Sequence, residues 1–193
     1  MQGVLLGLKQ RHAEAKAQLL APLLKSDFKS RSVGALLRAH AKLTDDSLLQ
    51  LWELVDMPQD HALIAVGGYG RGELFPYSDI DVLVMQPDSP ERCSAGQQKV
   101  EAFITACWDL GLEIGSSVRN VSDCVSEALG DVTVQTALLE SRRVCGAPGL
   151  LRQMREALDE AMDAKAFLQR KTAEMRQRHQ KFDNSPYSLE PNC

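Results

Sequence analysis

The chain is poor in the residues that mark several common kinds of protein. Its five cysteines, Cys93, Cys107, Cys124, Cys145 and Cys193, include no C-x-x-C pair, which sets aside the usual zinc and dithiol motifs. An odd, widely spaced set of this kind reads as reduced cytosolic thiols. No apolar run approaches the roughly 18 residues that cross a bilayer, and the N-terminal MQGVLLGLKQRHAEAK has too short an apolar segment for a secretory signal. A cytoplasmic location without a membrane partner is the expectation. Positive charge is not in excess either: 22 Lys and Arg stand against 26 Asp and Glu, a formal net charge of −4, which argues against binding nucleic acid by bulk electrostatics. A phosphate-bearing small molecule needs only a few local cations. Internal repeats and low-complexity segments are missing as well.

What is there is an ordinary globular composition, 193 residues with 44% hydrophobic, enough for one cored domain with appendages. Apolar residues recur at three- and four-residue intervals from about Leu5 to Leu24 and again through SVGALLRAHAKL and TDDSLLQLWELVDM, so residues 1–60 are expected to be helical. Thr44, followed by Asp45 and Asp46, has the chemistry of a helix start, and Pro58 that of an exit. ALIAVGG and DIDVLVM read as buried strands, the latter ended by Pro87, Ser89 and Pro90. GQQKVEAFITACWDLGL returns to the helical period, and LEIGSSVRNV is a third strand. Ser122 is placed to cap a helix over DCVSEAL, Gly130 to break it, and DVTVQTALLESRRV to begin another. Two helices follow CGAPG, with Pro148 at a helix start, and the second carries Lys165, Arg170, Lys171, Arg176, Arg178 and Lys181. That basic face is either a solvated surface or one that meets a nucleotide or protein. Trp52 and Trp108, both at helical spacing among apolar neighbours, read as core.

The chemistry concentrates in VGGYGRGELFPYSDIDVLV, residues 66–84. Glycines 67, 68, 70 and 72 fit neither the dinucleotide fingerprint, since Glu73 stands where its last glycine belongs, nor a Walker loop, which needs G-K-[ST]. What remains is a strand, a Gly-Gly turn and backbone N–H groups that can approach an anion such as triphosphate. Asp79 and Asp81, two apart on a strand, point to one face. Two carboxylates there repel each other, and a divalent cation between them relieves the cost. Magnesium suits an all-oxygen site shared with substrate phosphates.

This stretch resembles the signature of the DNA polymerase β-like nucleotidyltransferase superfamily, Gly-Gly or Gly-Ser followed by D-x-D. Together with LEIGSSVRNVSDCVSEALGDVTVQTALLESRRVCG and RHQKFDNSPYSLEPNC, it is similar to the N-terminal part of the bacterial bifunctional uridylyltransferase/uridylyl-removing enzymes that modify the PII nitrogen-signalling protein. The resemblance runs from about Leu5 to the last residue. It implies an α/β (α+β) fold with a small mixed sheet flanked by helices: an N-terminal helical region over 1–60, the catalytic domain over 61–146 and the beginning of a truncated helical domain over 147–193. The four histidines include no His-Asp pair, so nothing here supports the uridylyl-removing half.

The reaction so implied is transfer of UMP from UTP to a tyrosine of PII, releasing pyrophosphate. Asp79 and Asp81 would hold Mg²⁺, and Gly67, Gly68, Arg71 and Ser78 would bind the nucleotide. Related enzymes add a third carboxylate from a neighbouring strand; LEIGSSVRN has serines there, and the resemblance implies Asp131 as the third catalytic candidate, since the closer family carries an aspartate in this segment, with Glu113 as the other. Asp131, after Gly130 and before a helix, also makes a good N-cap. Glu73 lies within reach of the site if the turn folds back. Arg119 and Arg142 suit either triphosphate or surface carboxylates, and Tyr69 and Tyr77 either the nucleotide pocket or turn packing. Two other readings stay open: a nucleotidyltransferase with a different base or acceptor, and a non-catalytic nucleotide-binding regulatory unit.

Overall fold

The computed structural model describes residues 2–24, 33–88 and 94–181. The chain opens with two helices, α1 (Gln2–Leu20) and α2 (Val33–Leu54), and then enters a sheet through β1 (Ala62–Ala65). A single helical turn, α3 (Gly67–Gly70), separates β1 from β2 (Ile80–Met85), and α4 (Ser94–Leu110) crosses over to β3 (Ile114–Arg119). Two short helices, α5 (Val121–Gly130) and α6 (Val132–Leu139), lead into β4 (Arg142–Gly146), after which come α7 (Pro148–Ala161) and α8 (Ala164–Lys181). The result is a small mixed four-stranded sheet flanked by helices. Its order is β3-β2-β1-β4, with β1 antiparallel to both β2 and β4 and β2 parallel to β3.

Both faces of the sheet are covered, which is why β1 and most of β2 read as unbroken apolar runs. Leu63, Ala65, Ile80, Val82 and Val84 pack with α1, α2 and α4, while Ala62, Ile64, Leu83 and Met85 pack with α5, α6 and α7. Trp52 of α2 meets Phe103 of α4 edge to face, ring centroids 5.3 Å apart. Burial of such a ring contributes about 2 kcal/mol. Cys107, Cys124 and Cys145 are free and buried, and burial pushes their thiols up to about 12, 11 and 12. They behave as small apolar side chains. Among the described residues no helix is long and apolar enough to cross a membrane.

Several local expectations are corrected. No helix begins at Thr44: α2 runs through it, because the apolar stripe of Leu36, Leu37, Ala41, Leu48 and Leu51 is continuous. Thr44 is buried and its hydroxyl donates to the His40 carbonyl at 3.0 Å. Ser122 does not cap α5. Asn120 does, accepting from the Asp123 N–H at 2.7 Å while Asp123 accepts from the Asn120 N–H at 3.3 Å, a reciprocal capping box. The helix expected over DVTVQTALLESRRV stops at Leu139, and SRRVCG supplies β4 instead. Strand β1 would otherwise present an unpaired edge. Trp108 is not core: it is 59% exposed, against 7% for Trp52. The expectations on Ser89, Pro90, Cys93 and the terminal FDNSPYSLEPNC fall outside the described residues.

Candidate nucleotide-binding site

The site forms where β1 ends and β2 and β3 begin. Asp79 stands one residue before β2 and Asp81 within it, on either side of the buried Ile80, so strand alternation sends both carboxylates to one face. Burial raises the pKa of Asp81, and the charge of Asp79 raises it further. Parallel pairing puts Gly115 of β3 beside Asp81. A Cβ at Gly115 would lie 2.6 Å from Asp81 Oδ1, so that position is empty to make room for the carboxylate. One step back, the Glu113 carbonyl accepts from the Ile80 N–H at 2.8 Å, which sets Glu113 beside Asp79.

The glycine turn closes the other side. Val66 is extended and its N–H donates to the Asp81 carbonyl at 3.1 Å. The chain then reverses into α3 through Gly67, whose φ of +58° lies in the left-handed region that glycine adopts without strain. A Cβ there would stand 3.8 Å from Asp81 Oδ2. Gly70 is required for a different reason. Any side chain would collide with the Glu140 carbonyl and press within 3.0 Å of the Ala65 carbonyl, so the α6–β4 corner sits directly on the turn.

Three hollows meet at the aspartates. One of about 510 Å³ is lined by Gly68, Arg71, Glu73, Ser78, Asp79 and Asp81, with Tyr69 and Tyr77 on its wall. A second, about 460 Å³, shares Asp79 and adds Trp108, Glu113 and Gly115. The third, about 340 Å³, shares Asp81 and Gly115 and is walled by Val66, Ser116, Ser117, Thr133 and Val134. Of the residues singled out in the sequence, Gly68, Arg71, Ser78, Asp79 and Asp81 therefore face one space, while Gly67 lines none of the three hollows and approaches only the Asp81 carboxylate. Asp131 lines none of the three hollows, although Thr133 and Val134 just after it wall the third; it is exposed, caps α6, and accepts from the Thr133 N–H at 2.6 Å. That bond lowers its pKa.

The cations near the site are already engaged. Arg71 Nε donates to Glu73 at 3.1 Å and its Nη1 to Glu140. Arg119 pairs with Glu127 at 2.6 Å. Arg142 donates to both carboxylate oxygens of Asp45, at 2.7 and 3.1 Å, and to the Tyr69 carbonyl at 3.3 Å, with its guanidinium 5.3 Å from the centre of the Tyr69 ring. The Tyr69 hydroxyl donates to the same Asp45. Tyr69 is buried at 2% exposure while Tyr77 is 96% exposed. Asp45 was missed in the sequence because, next to Thr44 and Asp46, it reads as a helix first turn; the apolar stripe continuing past it was the signal that it lies inside the helix. On the basic face of α8, Arg170 binds the Leu129 carbonyl and Gln135, and Lys171 and Arg178 pair with Glu174.

A profile described as "Nucleotidyltransferase domain" matches residues 46–145, the span that holds the turn, the aspartates and all of the four strands but the last residue of β4. The chain belongs to the nucleotidyltransferase domain family. It is 51% identical over 182 residues to a protein named bifunctional uridylyltransferase/uridylyl-removing enzyme from Burkholderia orbicola strain AU 1054, covering 94% of this chain and 21% of that protein. With the protein of the same name from Burkholderia mallei strain ATCC 23344 it is 52% identical over 188 residues, 97% of this chain and 21% of the relative. The chain thus spans about a fifth of the length of these relatives. A crystal structure of a toxin-antitoxin with AMP-PNP aligns over 69% of this chain and 95% of that one at 12% identity and a TM-score of 0.38, too slight a likeness to carry weight.

Proposed function

We propose that this nucleotidyltransferase domain transfers UMP from UTP to a tyrosine hydroxyl of a PII-type nitrogen-signalling protein, releasing pyrophosphate, in the cytoplasm. The observation that carries the reading is the carboxylate pair, Asp79 and Asp81, facing one hollow with Gly68, Arg71 and Ser78. The choice of UTP and of the acceptor rests on the likeness to the uridylyltransferases.

The residues fit a divalent ion such as Mg²⁺. Asp79 and Asp81 are hard oxygen donors, and Asp81 is held at a charge cost that a cation would remove. Among the described residues no three His, Cys, Asp or Glu side chains gather into a metal cluster, so the ion would complete its shell with water and substrate phosphates. Bound there, it would draw charge from the α-phosphate and the departing pyrophosphate. Gly67 and Gly68 present first-turn N–H groups, which a helix leaves without internal partners, and with Arg71 and Ser78 they orient the β- and γ-phosphates. Of the two candidates for receiving the acceptor proton, Glu113 is favoured over Asp131. Glu113 shares a hollow with Asp79, whereas the carboxylate of Asp131 is committed to its cap and made a weaker base by it. Glu113→Gln is expected to lower transfer about a hundredfold, and Asp131→Ala to act mainly through loss of the α6 cap, read as a lowered melting temperature with transfer largely kept.

The test is incubation of the chain with a PII protein, Mg²⁺ and labelled UTP, ATP, CTP or GTP in turn. Label from UTP alone is the expected result. Label from another nucleotide assigns a different transferase of the same family, and Mg²⁺-dependent UTP binding without label assigns a nucleotide-binding unit that does not turn over by itself.

A further inference from the structure

Among the described residues Arg71 is the one arginine that lines the 510 Å³ hollow, and it shares that hollow with three carboxylates, Glu73, Asp79 and Asp81. A fourth, Glu140, does not line the hollow but holds Arg71 from behind, accepting from Nη1 while Glu73 accepts from Nε. Two of the edges by which a guanidinium grips a phosphate are therefore spent. The third nitrogen, Nη2, lies against the glycine turn, 3.6 Å from where a Gly68 Cβ would stand. Glu140 itself cannot drift. It closes α6, its N–H bonded to the Thr136 carbonyl at 3.2 Å, and its own carbonyl lies in contact with Gly70. Its backbone is locked, and its side chain is about one third exposed, open to water on one side.

We propose that Glu140 is a latch on Arg71, a positioning residue that competes with phosphates for the guanidinium and so keeps the hollow's grip on free pyrophosphate weak. The inference rests on the reading that this hollow takes a triphosphate. An incoming anion gains Arg71 only by returning the Glu140 carboxylate to water, an exchange of one charge-assisted bond for another with small net gain. The latch leaves binding to depend on a nucleotide whose charge is met elsewhere, at Asp79 and Asp81 with their cation. After transfer, the same carboxylate reclaims Arg71 as pyrophosphate departs.

The experiment is calorimetric titration of inorganic pyrophosphate without metal, and of Mg-UTP, into the wild-type chain, Glu140→Gln, Arg71→Ala and the double variant. Glu140→Gln should bind pyrophosphate about tenfold more tightly, and the gain should vanish in the Arg71→Ala background. Unchanged or weaker pyrophosphate binding overturns the latch, as does a gain that persists without Arg71, which would reflect general charge. If no protein of the set binds Mg-UTP, it is the triphosphate reading that fails. Should Glu140→Gln not fold, Glu140→Asp loosens the pair and should give a smaller gain of the same sign.

Discussion

On one side of the glycine turn Arg142 lies between α2 and β4, both terminal nitrogens on Asp45 and its face over Tyr69. On the other, Arg71 reaches into a hollow between two glutamates, one bond to each. Exposure differs only moderately, 32% for the Arg142 side chain and 47% for Arg71. What separates them is the number of fixed partners. Arg142 meets both oxygens of one carboxylate and the carbonyl and ring of one tyrosine, all on packed elements. Arg71 meets two partly exposed side chains, and each can be exchanged for another anion. The first arrangement holds the turn still; the second lets it respond.

The comparison can be broken at its hinge. Gly70→Ala places a methyl group against the Glu140 and Ala65 carbonyls, disturbing both sides at once. A loss of about 3 kcal/mol in urea unfolding is expected, with Mg-UTP binding lost as well. Asp45→Ala touches one side alone. It strands Arg142 and the Tyr69 hydroxyl, and should cost about 2 kcal/mol, whereas the matched change Arg71→Ala should lower the unfolding free energy by no more than about 0.5 kcal/mol. Equal effects from the two would erase the distinction.

The smallest effect is expected between the two clusters. Because the folded pKa of Asp81 is raised above its ordinary 3.8, the folded state holds the proton more tightly than the unfolded one, and stability falls as pH rises through that window. Asp81→Asn removes the penalty. Its melting temperature without metal should exceed wild type slightly at pH 7, and the difference should disappear below pH 3.8. Added Mg²⁺ should then stabilise the wild type and leave the variant unmoved.

Sequence reading recovered what is encoded locally. The alternation around Ile80 and the run of glycines fix the carboxylate face and the turn without help from distant residues, so Gly68, Asp79 and Asp81 could be grouped in advance, while Arg71 and Ser78 joined them only through the family resemblance. Contacts across the fold were not legible. Asp45 shows its role only when Arg142, 97 positions later, arrives beside it. Strand β4 carries two arginines in five residues, a poor strand pattern that is rescued by an open edge of β1. Trp108 occupies a helical position whose spacing suits a buried face; α4 simply turns it toward the hollow beside Asp79.

The span between Asp45 and Arg142 also sets an order of assembly. Helix α2, strands β1 and β2 and the glycine turn can all form while the chain is still short, but the strut that steadies the turn cannot close until β4 has been synthesised. A growing chain therefore carries its glycine turn unbraced until that point, and competence to bind nucleotide should appear abruptly, at the length where Arg142 clears the ribosome.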